Sequence, residues 1–427
     1  MANESYECIG VGCGPSNLSI ASQLYGLPHV HNIFFEKKSE FSWHGGMMLP
    51  DVSLQVSMFK DLVTLAEPTN QFSFVSYLHR HDRLLPFLNA RFERISRREF
   101  ADYLRWAAHT NENISFGEHV ESVDFDGAQF VVETSRRRVY GKNVVVGVGI
   151  EAHVPPFARN HIDGETQFHV HTFAHKPRFV GGQRVVVIGG GQSGAEAVLE
   201  LLRRTGEDAP SQVSWLSRRE NFSPIDDSPF ANDLFTPSHS NFFFGQEAAF
   251  RNAFLERNVL ASDGISEHTL RDIYQRVYTL RYIERSPMVV RLMPFRDILE
   301  VWRAEGAWAL AARHLGTHAH ENLNADVVVW ATGFRSAAEP FMNPLAARLV
   351  REDGEIRVDR DYAAIWDGPA DRRIFVLNGA RRQRGLADPN LSLTAWRGQI
   401  VIDRMLNRTR GGAPDLQAFV NWAALEN

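Results

Sequence analysis

The sequence predicts an α/β fold of two doubly wound, Rossmann-like domains, the second inserted into a split first one, with a small helical part. Three observations carry this. A glycine-rich turn follows an apolar strand near the start, in Gly10-Val-Gly-Cys-Gly-Pro-Ser-Asn17. A second stands mid-chain, in Val185-Val-Val-Ile-Gly-Gly-Gly-Gln-Ser-Gly-Ala-Glu196. Buried-strand patterns then recur at Asp326–Phe334 and Ile374–Leu377, where a strand must return to the first domain. A chain of 427 residues has room for two or three domains. The expected boundaries are 1–165 and 326–427 for the split domain and 166–325 for the insert, whose helical segment covers about 222–285.

Tyr6–Val11 reads as the first strand and Leu18–Leu24 as the helix after the turn. Gly10, Gly12, Gly14 and Pro15 shape that turn. Such a strand-to-helix turn brings backbone N–H groups and a helix N-terminus to a pyrophosphate. The next strand, Asn32–Phe35, ends at Glu36. An acid about 20 residues past the turn is placed to bind a ribose diol, and it repels a 2′-phosphate. The first site therefore suits FAD or NAD over NADP. The alternative for Glu36 is an ordinary surface acid at a strand end.

Phe41–Pro50 reads as irregular backbone rich in aromatic and soft side chains. Lys60 is a lone cation in apolar surroundings, with Asp61 as its candidate partner. Ser96-Arg-Arg-Glu99 is a capping box for a helix over Phe100–Ala108. Strands follow at Ser122–Phe125, Gln129–Thr134 and Asn143–Val148, and Pro155-Pro156 reads as a linker.

In the central motif Gly189, Gly191 and Gly194 have the G-x-G-x-x-G spacing between a strand and a helix over Ala195–Arg203. Two rivals stand beside the dinucleotide reading: a glycine turn of some other α/β protein, and a nucleophile elbow at Ser193. The elbow wants G-x-S-x-G, and Ala195 occupies the last position. The following strand, Gln212–Ser217, ends in Arg218-Arg219 instead of an acid. Arginine there admits a 2′-phosphate, so the second site suits NADPH; the alternative is two exposed loop arginines. Asp226–Pro237 reads as loop, Ser266–Arg281 as an amphipathic helix and Leu391–Leu406 as the last helix.

Net charge is −5 with acids and bases intermixed, which gives no footprint for nucleic acid. No run approaches the ~18 apolar residues of a membrane span. Met1–Ser5 has neither the basic nor the apolar region of a leader. Two cysteines, Cys8 and Cys13, allow no disulfide framework, which points to a reducing cytoplasm. They also provide no redox pair for a flavin disulfide reductase. The 17 histidines show no metal-ligand spacing; His169, His171 and His175 are the nearest to a cluster. No metal is expected.

Phe41-Ser-Trp-His44, Lys60-Asp-Leu-Val63, Pro68-Thr-Asn70, Arg97-Arg-Glu-Phe100, Gly189–Glu196, Asp227–Pro237, Ala331-Thr-Gly-Phe334, Leu391-Ser-Leu393 and Trp396-Arg397 together resemble the flavin-dependent N-hydroxylating monooxygenases of siderophore biosynthesis. Ala261–Ile265, Ile273-Tyr274 and Leu391–Trp396 look most like the lysine N6-hydroxylases. The resemblance implies FAD and NADPH as cofactors, O2 as co-substrate, and hydroxylation of the terminal amine of lysine through a C4a-hydroperoxyflavin. Ornithine and diamines such as cadaverine or putrescine are the alternative substrates. It implies that Trp43, His44 and Gln55 lie by the flavin, and that Gln192, Ser193, Arg218 and Arg219 serve NADPH. It places Lys60 on the substrate α-carboxylate, Asn232 and Asn390 in the substrate site, and Ser392 near the terminal amine. Arg384-Gly385 stands where many relatives have His-Gly, and Asn232 matches ornithine enzymes better than some lysine enzymes. A homo-oligomer, dimer or tetramer, is expected. The rival classes are an NADPH-sensing regulator on the same frame and a serine hydrolase using Ser193.

Overall fold

The computed structural model describes residues 5–176, 180–408 and 418–422. The reading of the extreme N-terminus therefore lies largely outside the described residues.

The first body is built on β1 (Ser5–Val11), α1 (Pro15–Leu24) and β2 (Asn32–Glu36). Two short helices, α2 (Phe74–Arg80) and α3 (Leu84–Ala90), lead to α4 (Arg97–Thr110). Ser96 caps α4, its Oγ accepting from Glu99 N–H at 3.0 Å, which is why the helix starts before the apolar periodicity does. Then come β3 (Ile114–Phe116), β4 (Val120–Phe125), β5 (Phe130–Thr134) and β6 (Arg138–Val146). The sheet order is β3-β2-β1-β6-β5-β4. β1 pairs in parallel with both β2 and β6, while β5 pairs antiparallel with β4 and β6. Residues of β1, such as Cys8 and Ile9, are wholly buried, because layers cover both faces.

The chain leaves by β7 (Ile150–Ala152) and enters a second parallel sheet. Its strands are β8 (Gln167–His169), β9 (Arg184–Ile188), β10 (Gln212–Leu216) after α5 (Gln192–Arg203), and, after a helical segment, β11 (Val289–Met293). That segment comprises α6 (Pro229–Asn232), α7 (Pro237–Phe244), α8 (Ala248–Arg257), α9 (Leu260–Asp263) and α10 (Glu267–Tyr278). Ser228 and Thr236 cap α6 and α7, so the stretch expected to be loop is partly helical. An antiparallel sheet of β12 (Arg296–Ala304), β13 (Ala307–His314) and β14 (His320–Ala325) follows. β15 (Val327–Trp330) then completes the order β11-β10-β9-β15-β8.

This corrects the expected return point. β15 pairs with β8 and β9, inside the second sheet. The crossing back is β16 (Phe334–Ser336), paired antiparallel with β7. The two connectors thus form one ribbon at 150–152 and 334–336, whose first strand precedes the Pro155-Pro156 pair. An apolar run says that a strand is buried, not in which sheet, and this is why pattern alone misplaced β15. After the short β17 (Arg351–Glu352) and β18 (Glu355–Ile356), β19 (Arg373–Val376) rejoins the first sheet beside β6. α11 (Arg381–Arg384) and α12 (Thr394–Met405) finish the fold, α12 packing on α1. Trp396, Ile400, Val401 and Met405 join Leu18, Leu24 and Phe34 in one cluster.

Leu234, Phe235 and Ala261 of the helical segment belong to that first-body cluster, whereas Ile265, Ile273 and Leu280 belong to the second body's. The segment therefore spans both bodies. A second bridge runs the other way: Met47, Leu49 and Val52 are buried in the second body's cluster with Phe168, Phe173 and Val187.

Candidate functional site

At the first turn, Gly12 has φ +79°, and a Cβ there would lie 2.8 Å from the Gly147 carbonyl oxygen of the strand-end turn after β6. A Cβ on Gly10 would run into the Phe34 ring. These two glycines are fixed by packing. Gly14 differs: its φ is −74°, and a Cβ would meet nothing within 4 Å. Gly14 is the N-cap of α1, Pro15 is the first helical residue, and no side chain caps this end, unlike α2, α4, α6 and α7. The free N–H groups and the open space beside Gly14 fit an anion at the helix N-terminus. Glu36 ends β2 and accepts from Cys13 N–H at 2.9 Å and Lys38 N–H at 3.0 Å. A carboxylate has about four acceptor positions, so its oxygens retain capacity for a diol. Asn17, which sequence reading gave no role, donates from Nδ2 to the Gly12 and Val145 carbonyls and ties the turn to β6.

The second turn repeats the device. Gly189 has φ +135°, and a Cβ would lie 2.0 Å from the Ala331 carbonyl oxygen at the end of β15. A Cβ on Gly194 would lie 2.3 Å from Gly189 O. Gly191, the N-cap of α5, has its nearest neighbour at 3.7 Å, and again no side chain caps the helix. Ser193 is partly exposed in the first turn of α5, and no hydrogen bond joins it to a histidine or a carboxylate among the described residues. The Gln192 side chain is spent internally: Nε2 donates to Glu196 and Oε1 accepts from Ser266 N–H at 2.7 Å. Only its backbone N–H can serve a ligand. The two arginines also separate. Arg219 donates to the Gly190 and Asp263 carbonyls at 3.1 and 2.9 Å and holds the turn against the end of α9. Arg218 is exposed and forms no ion pair among the described residues.

Between the turns lies the strap 41–60. Trp43 packs edge-on to Phe100 and to the His44 ring. His44 has φ +49°. The residue keeps solvent-exposed surface, while the protein packed around its ring desolvates it; that desolvation, then the Arg97 and Lys38 charges, lower its pKa to about 4. Gln55 is exposed. Lys60 is half-buried, and its Nζ donates to Ser392 Oγ at 3.2 Å. Ser392 Oγ in turn donates to Asn390 Oδ1 at 2.7 Å. Lys60, Asn390 and Ser392 are thus one chain of contacts across 332 residues of sequence.

Asp61 is not the partner of Lys60. Its carboxylate accepts from the N–H groups of Val63, Thr64 and Phe74 and from the Thr64 hydroxyl. Among the described residues no carboxylate forms an ion pair with Lys60, and burial lowers the lysine pKa. Asn232, exposed at the end of α6, donates to the Asp227 and Ser228 carbonyls and is not hydrogen-bonded to the Lys60–Ser392 group.

His169 and His171 stand close, but His169 accepts from His171 N–H and its Nε2 contacts Gly333 O at 3.0 Å. No group of metal-holding side chains exists among the described residues. Nor is any described helix long and apolar enough to cross a membrane. Cys8 and Cys13 are free and buried, and desolvation, with the charges of Glu7 and Glu36 respectively, pushes both thiols up. Both cysteines belong to the first turn and its strand, and neither is a redox pair.

The family model for L-lysine 6-monooxygenase/L-ornithine 5-monooxygenase matches residues 4–336. The L-lysine N6-monooxygenase of Escherichia coli is 36% identical over 98% of this chain and 99% of its own length. An ornithine N-hydroxylase from Kutzneria, solved with reduced FAD, NADP+ and L-ornithine, superposes with a TM-score of 0.86 at 28% identity, covering 94% of this chain and 99% of that one. A cadaverine monooxygenase from Erwinia amylovora, solved with FAD, shares the fold over the whole of both chains, with a TM-score of 0.91 at 23% identity.

Proposed function

We infer the activity from one premise: this chain belongs to the L-lysine 6-monooxygenase/L-ornithine 5-monooxygenase family. It is an FAD- and NADPH-dependent monooxygenase that uses O2 to hydroxylate a terminal amine, in the biosynthesis of a hydroxamate siderophore. The substrate we assign is L-lysine, giving N6-hydroxylysine. The match to the Escherichia coli enzyme over nearly the full length of both chains carries that choice. Ornithine, or a diamine, is the alternative.

Gly10, Gly12, Gly14, Pro15 and Glu36 hold the FAD nucleotide, with Trp43, His44 and Gln55 beside the flavin. The 189–194 turn, with Ser193 and Arg218, holds NADPH, and Arg219 supports that turn from behind. Bound flavin, reduced by NADPH, supplies the activation of O2. This chain's residues bind and orient the amine: Lys60 takes the substrate α-carboxylate and Ser392 lies toward the reacting end, positioned by Asn390. Asn232 serves the α-amino end. The His44 ring, with its pKa near 4, is neutral at pH 7, so it adds no cation where an amine must lose its proton. The regulator reading has no observation in its favour, and Ser193 lacks the base a hydrolase needs.

A panel of lysine, ornithine, cadaverine and putrescine, scored by hydroxylamine product, tests the assignment. NADPH consumption alone is insufficient, because uncoupled turnover also consumes it. Hydroxylation of a diamine in preference to both amino acids would overturn the substrate choice. We also place the protein in the cytoplasm as a homo-oligomer, which fractionation and sedimentation equilibrium test.

A further inference from the structure

The strap from the first body is seated in the second by packing and by charge. A Cβ on Gly46 would lie 1.8 Å from the His171 carbonyl oxygen, so the strap's backbone lies directly on 170–175. Met47, Leu49 and Val52 are buried in the second body's cluster. Beside them Arg97, on α4 of the first body, makes a two-pronged ion pair with Glu196, on α5 of the second. Arg97 Nη2 donates to Glu196 Oε1 at 2.7 Å and Nη1 to Oε2 at 3.0 Å. The side chains are 14% and 3% exposed, so this is a desolvated pair and not surface decoration. Arg97 Nη1 also donates to the Met47 carbonyl of the strap at 3.0 Å. Glu196 Oε1 further accepts from Gln192 Nε2 at 2.9 Å, and Gln192 is the first residue of α5. A lesser bridge lies nearby: Arg203 of α5 reaches Asp51 of the strap at 3.2 Å and Asp272 of α10 at 3.3 Å.

We propose that Arg97 is a positioning residue that, with Glu196, latches the N-terminal turn of α5 to the strap carrying Trp43 and His44, and so sets the register between the two cofactor sites. It rests on the monooxygenase reading for its catalytic consequence, though not for the latch itself. The guanidinium matters as a fork: it engages both carboxylate oxygens and the strap carbonyl at once, which an ammonium cannot do in this geometry. Neither residue is placed at substrate or cofactor.

The test compares Arg97→Gln, Glu196→Gln, the double variant and Arg97→Lys. Three quantities are read: the rate of flavin reduction by NADPH in stopped flow, the amine KM, and amide hydrogen exchange over residues 45–52. Each single Gln variant should slow flavin reduction at least tenfold with the amine KM within twofold, and should speed exchange across the strap. The double variant should be no slower than the slower single, because both break one contact. Arg97→Lys should recover part of the loss. Unchanged reduction rate and exchange, or single losses that multiply in the double variant, would overturn the latch. If Arg97→Gln does not fold, Arg97→Lys carries the same readouts. A wild type that forms no hydroxylamine defeats the activity reading instead, and the exchange measurement then decides the latch by itself.

Discussion

Removing the Lys60 ammonium should separate amino acids from diamines. The ammonium is half-buried, bonded to Ser392 Oγ at 3.2 Å and free of any carboxylate partner among the described residues. A hydrogen bond to a charged group contributes roughly 1.5–3 kcal/mol. At about 1.4 kcal/mol per decade this is on the order of a 10- to 150-fold change in affinity. The partial exposure of Lys60 argues for the lower half of that range, since solvent screens its charge. Lys60→Ala should thus raise the KM for lysine by roughly 10- to 40-fold on that scale. Cadaverine, which has the same chain but no carboxylate, should change little. Lys60→Met keeps the apolar stem and should behave like the alanine variant, which separates charge from packing. The assay is hydroxylamine formation against substrate concentration for both amines, with thermal unfolding as a control for fold. Equal losses for lysine and cadaverine would refute the reasoning, as would a wild type that accepts both equally well.

Arg218→Ala should raise the KM for NADPH and leave NADH nearly unchanged. Arg219→Ala, which removes two bonds to backbone carbonyls, should weaken both coenzymes alike, and the ratio of the two KM values distinguishes the cases. Product formation should rise with pH as the substrate amine, with a free pKa near ~10.4, becomes neutral, while flavin reduction stays flat; the same profile in His44→Asn would exclude that ring as the base. His239 is buried among Phe243, Phe254 and Trp422, and desolvation lowers its pKa to about 4. The unfolded chain therefore takes up this proton near pH 6.5 and the folded chain near 4, so its contribution to stability is full above about 6.5 and lost as pH falls toward 4. His239→Leu should lower the slope of unfolding free energy in that window by about 1.4 kcal/mol per pH unit, the value for one proton, as read by denaturant melts at several pH values.

Both glycine turns were legible in sequence because each requirement there is local: a strand, a turn of fixed glycine spacing and a helix. Lys60 was legible as a lone cation in apolar surroundings, although its neighbour Asp61 was a false candidate for its partner. Three backbone N–H groups occupy that carboxylate, and adjacency in sequence says nothing of such bonds. The meeting of Lys60 with Ser392 was not legible from spacing, since it joins side chains 332 residues apart in the sequence. Nor was the sheet β12–β14: in β13 Trp308, Ala309 and Leu310 are buried in succession, so no period-two signal marks the strand. Ser96–Glu99 was read purely as a helix cap. The cap is present, but the same stretch carries Arg97, whose partner is 99 residues away in another body. Position 384 remains singular. Arg384 is wholly buried, flanked by Phe244 and Tyr362 and bonded to Asn241 Oδ1 at 3.2 Å, and the structure does not explain why arginine stands there.

The two turns share their geometry and differ in charge. In each, the glycines inside the turn answer to protein packing, while the one before the helix, Gly14 or Gly191, faces space. Shape alone would let either turn accept either dinucleotide. Charge does not: Glu36 sits at the first turn, its carboxylate fixed by Cys13 N–H, and would oppose a 2′-phosphate. At the second, Arg219 is committed to the backbone and leaves Arg218 as the free cation. On the proposed assignment, a phosphate there would find a partner that breaks no side-chain hydrogen bond or ion pair recorded among the described residues. On the proposed assignment, an acid at one strand end and a base at the other would let the fold use the same turn twice without exchanging the two coenzymes.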